Sequence, residues 1–215
     1  MIVDERMIAY IHSLDRDETG DIHRIELEAR ADNIPIIRSE TKSLLKVLLK
    51  MAKPKRVLEI GTAVGFSSVF MSEHIGKKST ITTIEKCPER IAKARDNFKA
   101  LKKENQITLL EGDALKILKG LSPEYDFIFM DAAKAQYLCL LPEVLRLLAL
   151  GGTIVSDNVL QDGDILESRF AITRRNRTIH SRMREYLWQI KHLETLETVI
   201  LPVGDGVAVS TSILE

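Results

Sequence analysis

The sequence predicts an α/β fold: a mostly parallel sheet of seven strands, covered by helices on both faces and closed by an antiparallel hairpin. Two observations carry this. From Arg56 onward, short apolar runs alternate with helical segments at the spacing of parallel strand–helix–strand units. The last two strand-like runs, 195–202 and 207–213, are joined only by Val203-Gly204-Asp205-Gly206. That link is too short for a parallel crossover, so the final pair is antiparallel. With 215 residues, 45% of them hydrophobic, one globular domain over 1–215 is expected, with 1–52 as a helical cap and 53–215 as the α/β core.

In order along the chain, Ile2, Ile8, Ile11 and Leu14 mark one amphipathic helix, and Ile22, Ile25, Leu27 and Ala29 a second. Pro35 breaks the pattern over 33–37. Ser39 is placed to cap a third helix burying Leu44, Leu45, Leu48 and Leu49. Strands follow at 57–60, 80–84, 107–110, 125–130 and 153–156. Helices are expected after Gly65, from Pro88, over 114–118, around 140–148 and over 182–190, with a turn at Gly151-Gly152.

Composition narrows the function classes. Lys plus Arg and Asp plus Glu both total 31, which excludes a globally basic nucleic-acid binder but leaves room for a local basic patch. Cys87 and Cys139 are too few for a disulfide framework and suit a reducing cytosol. Cys139, among leucines, reads as core rather than nucleophile. Asp4, Glu5 and Arg6 lack the layout of a signal peptide, and no apolar run approaches the ~18 residues of a membrane helix. A soluble cytoplasmic protein is the expectation.

The chemistry lies at the carboxyl ends of the strands. Gly61-Thr62-Ala63-Val64-Gly65 links a strand to a helix, where missing side chains let a ligand approach the backbone; its G-x-x-x-G spacing does not match the nicotinamide fingerprint. Glu85, about 20 residues on, is placed to accept bonds from ribose hydroxyls. Gly112-Asp113-Ala114 offers a carboxylate near a nucleoside, or a cap for the next helix. Asp131 and the pair Asp157-Asn158 close the next two strands, and two carboxylates with an amide carbonyl suit a hard cation such as Mg²⁺. The competing reading of these three is caps and turns. Lys134 stands three residues beyond Asp131.

The runs Val57-Leu58-Glu59-Ile60-Gly61-Thr62-Ala63-Val64-Gly65-Phe66-Ser67, Asp131-Ala132-Ala133-Lys134 and Ser156-Asp157-Asn158-Val159 resemble the cation-dependent O-methyltransferases of the catechol and caffeoyl-coenzyme A type, over nearly the whole chain. The resemblance implies a Rossmann-like class I methyltransferase fold, S-adenosylmethionine as methyl donor, a divalent metal, and a homodimer. Carried over by position, Glu59, Gly61 and Ser67 line the methionine end, Glu85 holds the ribose, and Asp113 and Ala114 border the adenine. Ile37 adds an apolar contact near the methionine. Asp131, Asp157 and Asn158 are the implied metal ligands, with Asp131 also near the cofactor, and Lys134 matches the catalytic lysine.

Substrate choice is read from residues 169–184, which hold Arg169, Arg174, Arg175, Arg177, Arg182, Arg184 and His180, with no acid before Glu185. Such a patch suits phosphate; the competing reading is a solvated helix face. The run from Arg175 to Tyr186 looks like the matching region of bacterial tRNA 5-hydroxyuridine methyltransferases, which form 5-methoxyuridine at the wobble position. That resemblance implies the tRNA anticodon loop as partner, with Arg174, Arg175, Arg177 and Arg182 against RNA. Ala132-Ala133, small where catechol enzymes are bulky, fits an open pocket; the competing reading is a packing choice. Tyr137, Tyr186 and Trp188 are stacking candidates by position, although Trp188 reads more readily as core or interface. Two other readings stand beside this one: a small-molecule catechol or caffeoyl-coenzyme A-type methyltransferase, and an RNA-binding module without catalysis.

Overall fold

The computed structural model describes residues 3–15, 20–122 and 124–213. Seven strands run β1 (Arg56–Ile60), β2 (Thr80–Glu85), β3 (Ile107–Glu111), β4 (Tyr125–Met130), β5 (Leu148–Ser156), β6 (Leu196–Leu201) and β7 (Val207–Ser212). They form one sheet in the order β3-β2-β1-β4-β5-β7-β6. The first five are parallel, and β7 lies antiparallel between β5 and β6, as the short link demands. The chain builds outward from β1 to β3, then returns to place β4 on the other side of β1. That reversal opens a crevice beyond the carboxyl ends of β1 and β4, where ligands settle in such sheets.

Alternation along the strands divides the core. Leu58, Ile60, Ile128, Met130 and Ile154 face one way, against α7 (Tyr137–Leu147) and α8 (Arg177–His192). Val57, Phe127, Phe129 and Val155 face the other, with residues of α2 (Asp21–Ala31), α3 (Ser39–Ala52), α4 (Phe66–His74) and α5 (Pro88–Ala100). The same period of two puts Glu59 of β1 on the α4 side, inside an otherwise apolar layer. α5 opens on Pro88 and α6 (Ala114–Gly120) on the capping residue Asp113.

Several local expectations are corrected. α1 (Glu5–Ser13) forms, capped by Asp4, but buries none of its residues, and Ile11 and the following Leu14 are exposed; Ile2 lies outside the described residues. In α2, Ile25 and Ala29 are buried while Leu27 points outward. Ser39 is the first residue of α3 rather than its cap, which falls on Arg38 without a side-chain bond. Gly151-Gly152 lies inside β5, which starts five residues earlier than its apolar run, at Leu148. α8 also begins earlier, at Arg177: its arginines obscure a stripe in which His180, Met183, Tyr186 and Ile190 recur at helical spacing. Cys139 is exposed, because Tyr137, Leu140, Leu141 and Val144 take the buried side of α7. Trp188 is 61% exposed and stacks on His192 at 4.3 Å instead of entering the core.

Candidate active site

The crevice floor is made where strands end. The carbonyl of Ile60 accepts from the Asp131 N–H at 2.9 Å, and the carbonyl of Met130 from the Asp157 N–H at 3.0 Å, so the tips of β1, β4 and β5 are stitched together. Gly61 adopts φ +107°, and a Cβ there would lie 2.2 Å from the Asp131 carbonyl oxygen. At Gly65, φ +82°, a Cβ would lie 2.5 Å from the Phe98 ring. Both glycines are therefore required by the protein's own packing, which does not exclude a ligand nearby. Gly61→Ala is expected to cost about 3 kcal/mol or more, read by urea unfolding, since it combines left-handed strain with a backbone clash. A loss under about 1 kcal/mol would mean that the loop yields.

Glu59 is fully buried in β1, two residues before this loop begins. One of its oxygens accepts from the Ser68 and Thr83 hydroxyls, the Thr83 oxygen lying 2.5 Å away. The other has no partner. Burial pushes its carboxyl up to about 7, with the neighbouring hydroxyls of Ser67, Ser68 and Thr83 pulling the other way. Ile37 is buried in the same apolar cluster as Val64 and Phe66, beside the loop. Glu85 closes the loop from its far side: it accepts from the N–H groups of Ala63 (2.9 Å), Lys86 (2.9 Å) and Cys87 (3.0 Å). Asp113 accepts from the Lys116 N–H at 3.2 Å and so caps α6, with Ala114 as the first helical residue. The cap and a nucleoside contact are compatible, because a carboxylate has a second oxygen.

Asp131 and Asp157 meet at the centre. Asp157 is completely buried; its Oδ1 accepts from the Asn158 N–H (2.8 Å) and the Thr41 hydroxyl (3.3 Å), while Oδ2 has no partner. Burial pushes its carboxyl up to about 6, and the charge of Asp205 acts in the same direction. Asp131 is raised well above the ordinary carboxylate range by loss of hydration and then by the charges of Asp157 and Glu59, against the pull of Lys134. Asn158 sits at φ +58°, a left-handed conformation that asparagine tolerates. Beneath, the Tyr137 hydroxyl lies 2.8 Å from the carbonyl oxygens of both Met130 and Asp157, bracing the two strand tips. Tyr186 meets Tyr137 edge-on at 5.4 Å. Both phenols are buried and pushed up, Tyr186 to about 12, so neither serves as a base or as a stacking platform.

Lys134 reaches back to the hairpin, where its Nζ donates to Asp205 Oδ2 at 2.9 Å. Asp205 is a residue that sequence reasoning missed: its Gly-Asp-Gly setting signals a turn and nothing more. Thr41, Ser68 and Thr83 were missed for the same reason, being ordinary members of a helix or strand. Arg38 pairs with Asp162 at 2.8 Å, tying the start of α3 to the segment after Asn158.

Comparison with known proteins places this arrangement. A family model described as O-methyltransferase matches residues 20–213. The chain belongs to the O-methyltransferase family of the catechol and caffeoyl-coenzyme A type. A catechol O-methyltransferase from Niastella koreensis is 34% identical over 127 residues, 57% of this chain and 58% of that protein, so the match spans less than two thirds of that relative. A putative O-methyltransferase from a Mycobacterium species is 31% identical over 78% of this chain and 75% of its own. Among solved structures, a putative caffeoyl-coenzyme A O-methyltransferase from Staphylococcus aureus superposes with TM-score 0.88 at 31% identity, covering 95% of this chain and 98% of that one. An S-adenosylhomocysteine-bound methyltransferase from Podospora anserina gives 0.86 at 26%, covering 97% and 94%. The chain has the class I methyltransferase fold of these neighbours.

The residues fit the groups that this family implies. The charges of Asp157 and Glu59 add to the loss of hydration in raising the proton affinity of Asp131, and Glu59 and Asp157 each carry a buried oxygen without a partner. Such a cluster calls for positive charge. Among the described residues no three His, Cys, Asp or Glu side chains form a metal cluster; the hard oxygen donors that the two strand tips offer are the Asp131 and Asp157 carboxylates and the Asn158 amide. At the rim of the crevice, Arg182 donates to the Ala135 carbonyl at 3.2 Å, which brings α8 beside Lys134. Arg177 and Arg184 are engaged by backbone carbonyls of the preceding segment, at Ile172 (3.1 Å) and Ile165 (3.0 Å). Arg169, Arg174 and Arg175 are exposed, as is Phe170, at 85% the most open large apolar side chain of the described chain and one that sequence reasoning passed over.

Proposed function

We propose that the methyltransferase transfers the methyl group of S-adenosylmethionine to one hydroxyl of a chelating pair of oxygens, in the presence of a divalent cation such as Mg²⁺. The observation that carries this is the gathering of half-buried Asp131 with buried Glu59 and Asp157, of which the last two each keep an unpartnered oxygen. Glu59, Gly61, Ser67 and Ile37 would hold the methionine end, Glu85 the ribose, and Asp113 with Ala114 the adenine. Asp131, Asp157 and Asn158 would hold the cation. When bound, the cation lowers the pKa of a coordinated hydroxyl and S-adenosylmethionine supplies an electrophilic methyl group. Lys134, as the free amine, would take the hydroxyl proton at Nζ. Thr41, Tyr137 and the backbone of Asn158 keep Asp157 oriented.

For the substrate we propose 5-hydroxyuridine at the tRNA wobble position, converted to 5-methoxyuridine. The 5-hydroxyl and 4-carbonyl form the chelating pair, and exposed Arg169, Arg174 and Arg175 with Phe170 offer phosphate contacts beside an aromatic face. The second reading is a small catechol or an acyl-coenzyme A phenol, and the names of the relatives favour it. The test is methyl transfer from labelled S-adenosylmethionine with Mg²⁺, comparing tRNA carrying 5-hydroxyuridine with catechol and caffeoyl-coenzyme A. Labelling of the wobble base, lost with a chelator, supports the tRNA reading; labelling confined to the small molecules overturns it. Arg174→Glu with Arg175→Glu is the informative charge reversal, because Arg177 is also needed to hold its own segment. It should weaken tRNA binding and lower the log–log salt slope by roughly 2 while sparing S-adenosylmethionine affinity.

We also infer one domain in which residues 1–52 cap the cofactor side, and a cytoplasmic location, which the free thiols Cys87 and Cys139 suit. No helix among the described residues is long and apolar enough to cross a membrane. A homodimer is inferred from exposed Met7, Tyr10 and Ile11 on α1 and Val47 and Met51 on α3, and light scattering reads it directly.

A further inference from the structure

We propose that Asp205 is the positioning residue of the methyl-transfer site, holding Lys134 and the segment 160–162 in a single arrangement. The inference rests on Lys134 being the group that handles the hydroxyl proton. Asp205 is 4% exposed, in the turn between β6 and β7. Its Oδ2 accepts from Lys134 Nζ at 2.9 Å and its Oδ1 from the Asp162 N–H. The backbone of the same turn grips the next residues: the Asp205 carbonyl accepts from the Leu160 N–H and the Gly206 carbonyl from the Val159 N–H, both at 3.0 Å.

The turn itself is seated without slack. A Cβ at Gly206 would lie 2.3 Å from the Leu160 side chain, and one at Gly204 would lie 2.9 Å from Thr41 Oγ1. Thr41 in turn donates to Asp157. Burial of a carboxylate is costly unless both oxygens are satisfied. Those of Asp205 are satisfied by protein, whereas Glu59 and Asp157 each keep a buried oxygen without a partner. Asp205 is thus built to hold the protein in place rather than to receive a ligand.

Lysine carries its amine on a flexible four-carbon stem, so a fixed partner is what gives it a defined position. The logic is that of a base oriented by a third group, whose charge also offsets the positive charge gained with the proton. The amine form of Lys134, still donating one N–H to Asp205, takes the substrate hydroxyl proton on its Nζ lone pair, and the ammonium so formed later releases a proton to solvent. The oxygen–methyl bond forms as the sulfur–methyl bond of the donor breaks, and S-adenosylhomocysteine leaves.

The test uses the full chain with Mg²⁺ and S-adenosylmethionine, on 5-hydroxyuridine tRNA and on catechol. Asp205→Asn should lower kcat at least tenfold, with KM and S-adenosylmethionine affinity within twofold of wild type, and Asp205→Glu should recover part of the rate. On the residual rate of Lys134→Met, Asp205→Asn should add no further loss. Hydrogen exchange needs no substrate: the Asp162 amide should stay protected in Asp205→Asn, whose oxygen still accepts, and open in Asp205→Ala. A kcat within twofold of wild type, an equal loss in the Lys134→Met background, or an unchanged Asp162 amide in Asp205→Ala would overturn the proposal. Failure of the tRNA reading is distinct: wild type then turns over catechol alone, and the Asp205 effect is read there.

Discussion

Asp157→Asn is expected to lower turnover by about two orders of magnitude or more, yet to make the protein more stable at pH 8 when neither metal nor cofactor is present. The two effects have one cause. Asp157 is fully buried with its carboxyl pushed up to about 6, and its Oδ2 has no partner. A carboxyl raised on folding contributes its full stability below the unfolded value of 3.8 and loses it as pH climbs through about 6. At about 1.4 kcal/mol per pH unit, that loss is on the order of 3 kcal/mol by pH 8. Asparagine keeps the oxygen that accepts from Asn158 and Thr41 but cannot ionise. Thermal unfolding without ligands should therefore show the variant several degrees above wild type at pH 8, with the gap closing toward pH 4. With Mg²⁺ added, wild type should gain stability and the variant should not. Unchanged turnover in Asp157→Asn would remove the metal assignment.

What could be read from the sequence divides by range. The strand ends carrying Glu59, Asp131 and Asp157-Asn158 were legible because local alternation and turn residues mark where each strand stops, and a parallel sheet puts those stops on one edge. The contacts that orient these groups were not. Lys134 and Asp205 are 71 residues apart, and Thr41 and Asp157 116 apart, so no local pattern announces either pair. Helix phase explains the misplacement of Cys139, one position out of step with the buried stripe of α7. Trp188 shows the limit of residue type as a guide, since its size suggests the core while its position on α8 leaves it in solvent against His192. Asp113 takes up the helix cap that its residue type and position allow, whereas residue type alone does not reveal that Glu85 is occupied with the N–H groups of Ala63, Lys86 and Cys87. The arginine run was legible as charge; which of its members are free to meet a substrate depended on carbonyls supplied by residues 165–172.

Glu59→Gln separates the cofactor half of the crevice from the metal half. Burial raises the Glu59 carboxyl from 4.5 to about 7, so the stability that it contributes is complete below pH 4.5 and is lost as pH rises through 7. The loss is again on the order of 3 kcal/mol. Glutamine mimics the protonated acid: its carbonyl can accept from Ser68 and Thr83, and its amide faces the direction in which Oε1 is unpartnered. Without ligand, the variant should melt several degrees above wild type at pH 8 and close to it at pH 4. In the proposed complex the ammonium of S-adenosylmethionine provides the charge that Glu59 lacks, so the variant should bind it roughly tenfold to a hundredfold more weakly by calorimetry, the loss of one buried charge-assisted pair. Asp157→Asn should instead leave that affinity nearly intact and abolish the response to Mg²⁺. If Glu59→Gln bound S-adenosylmethionine as wild type does, Glu59 would be a buried acid of the α4 layer alone, braced by Ser67, Ser68 and Thr83, and the methionine end would have to be sought elsewhere along the loop from Gly61 to Gly65.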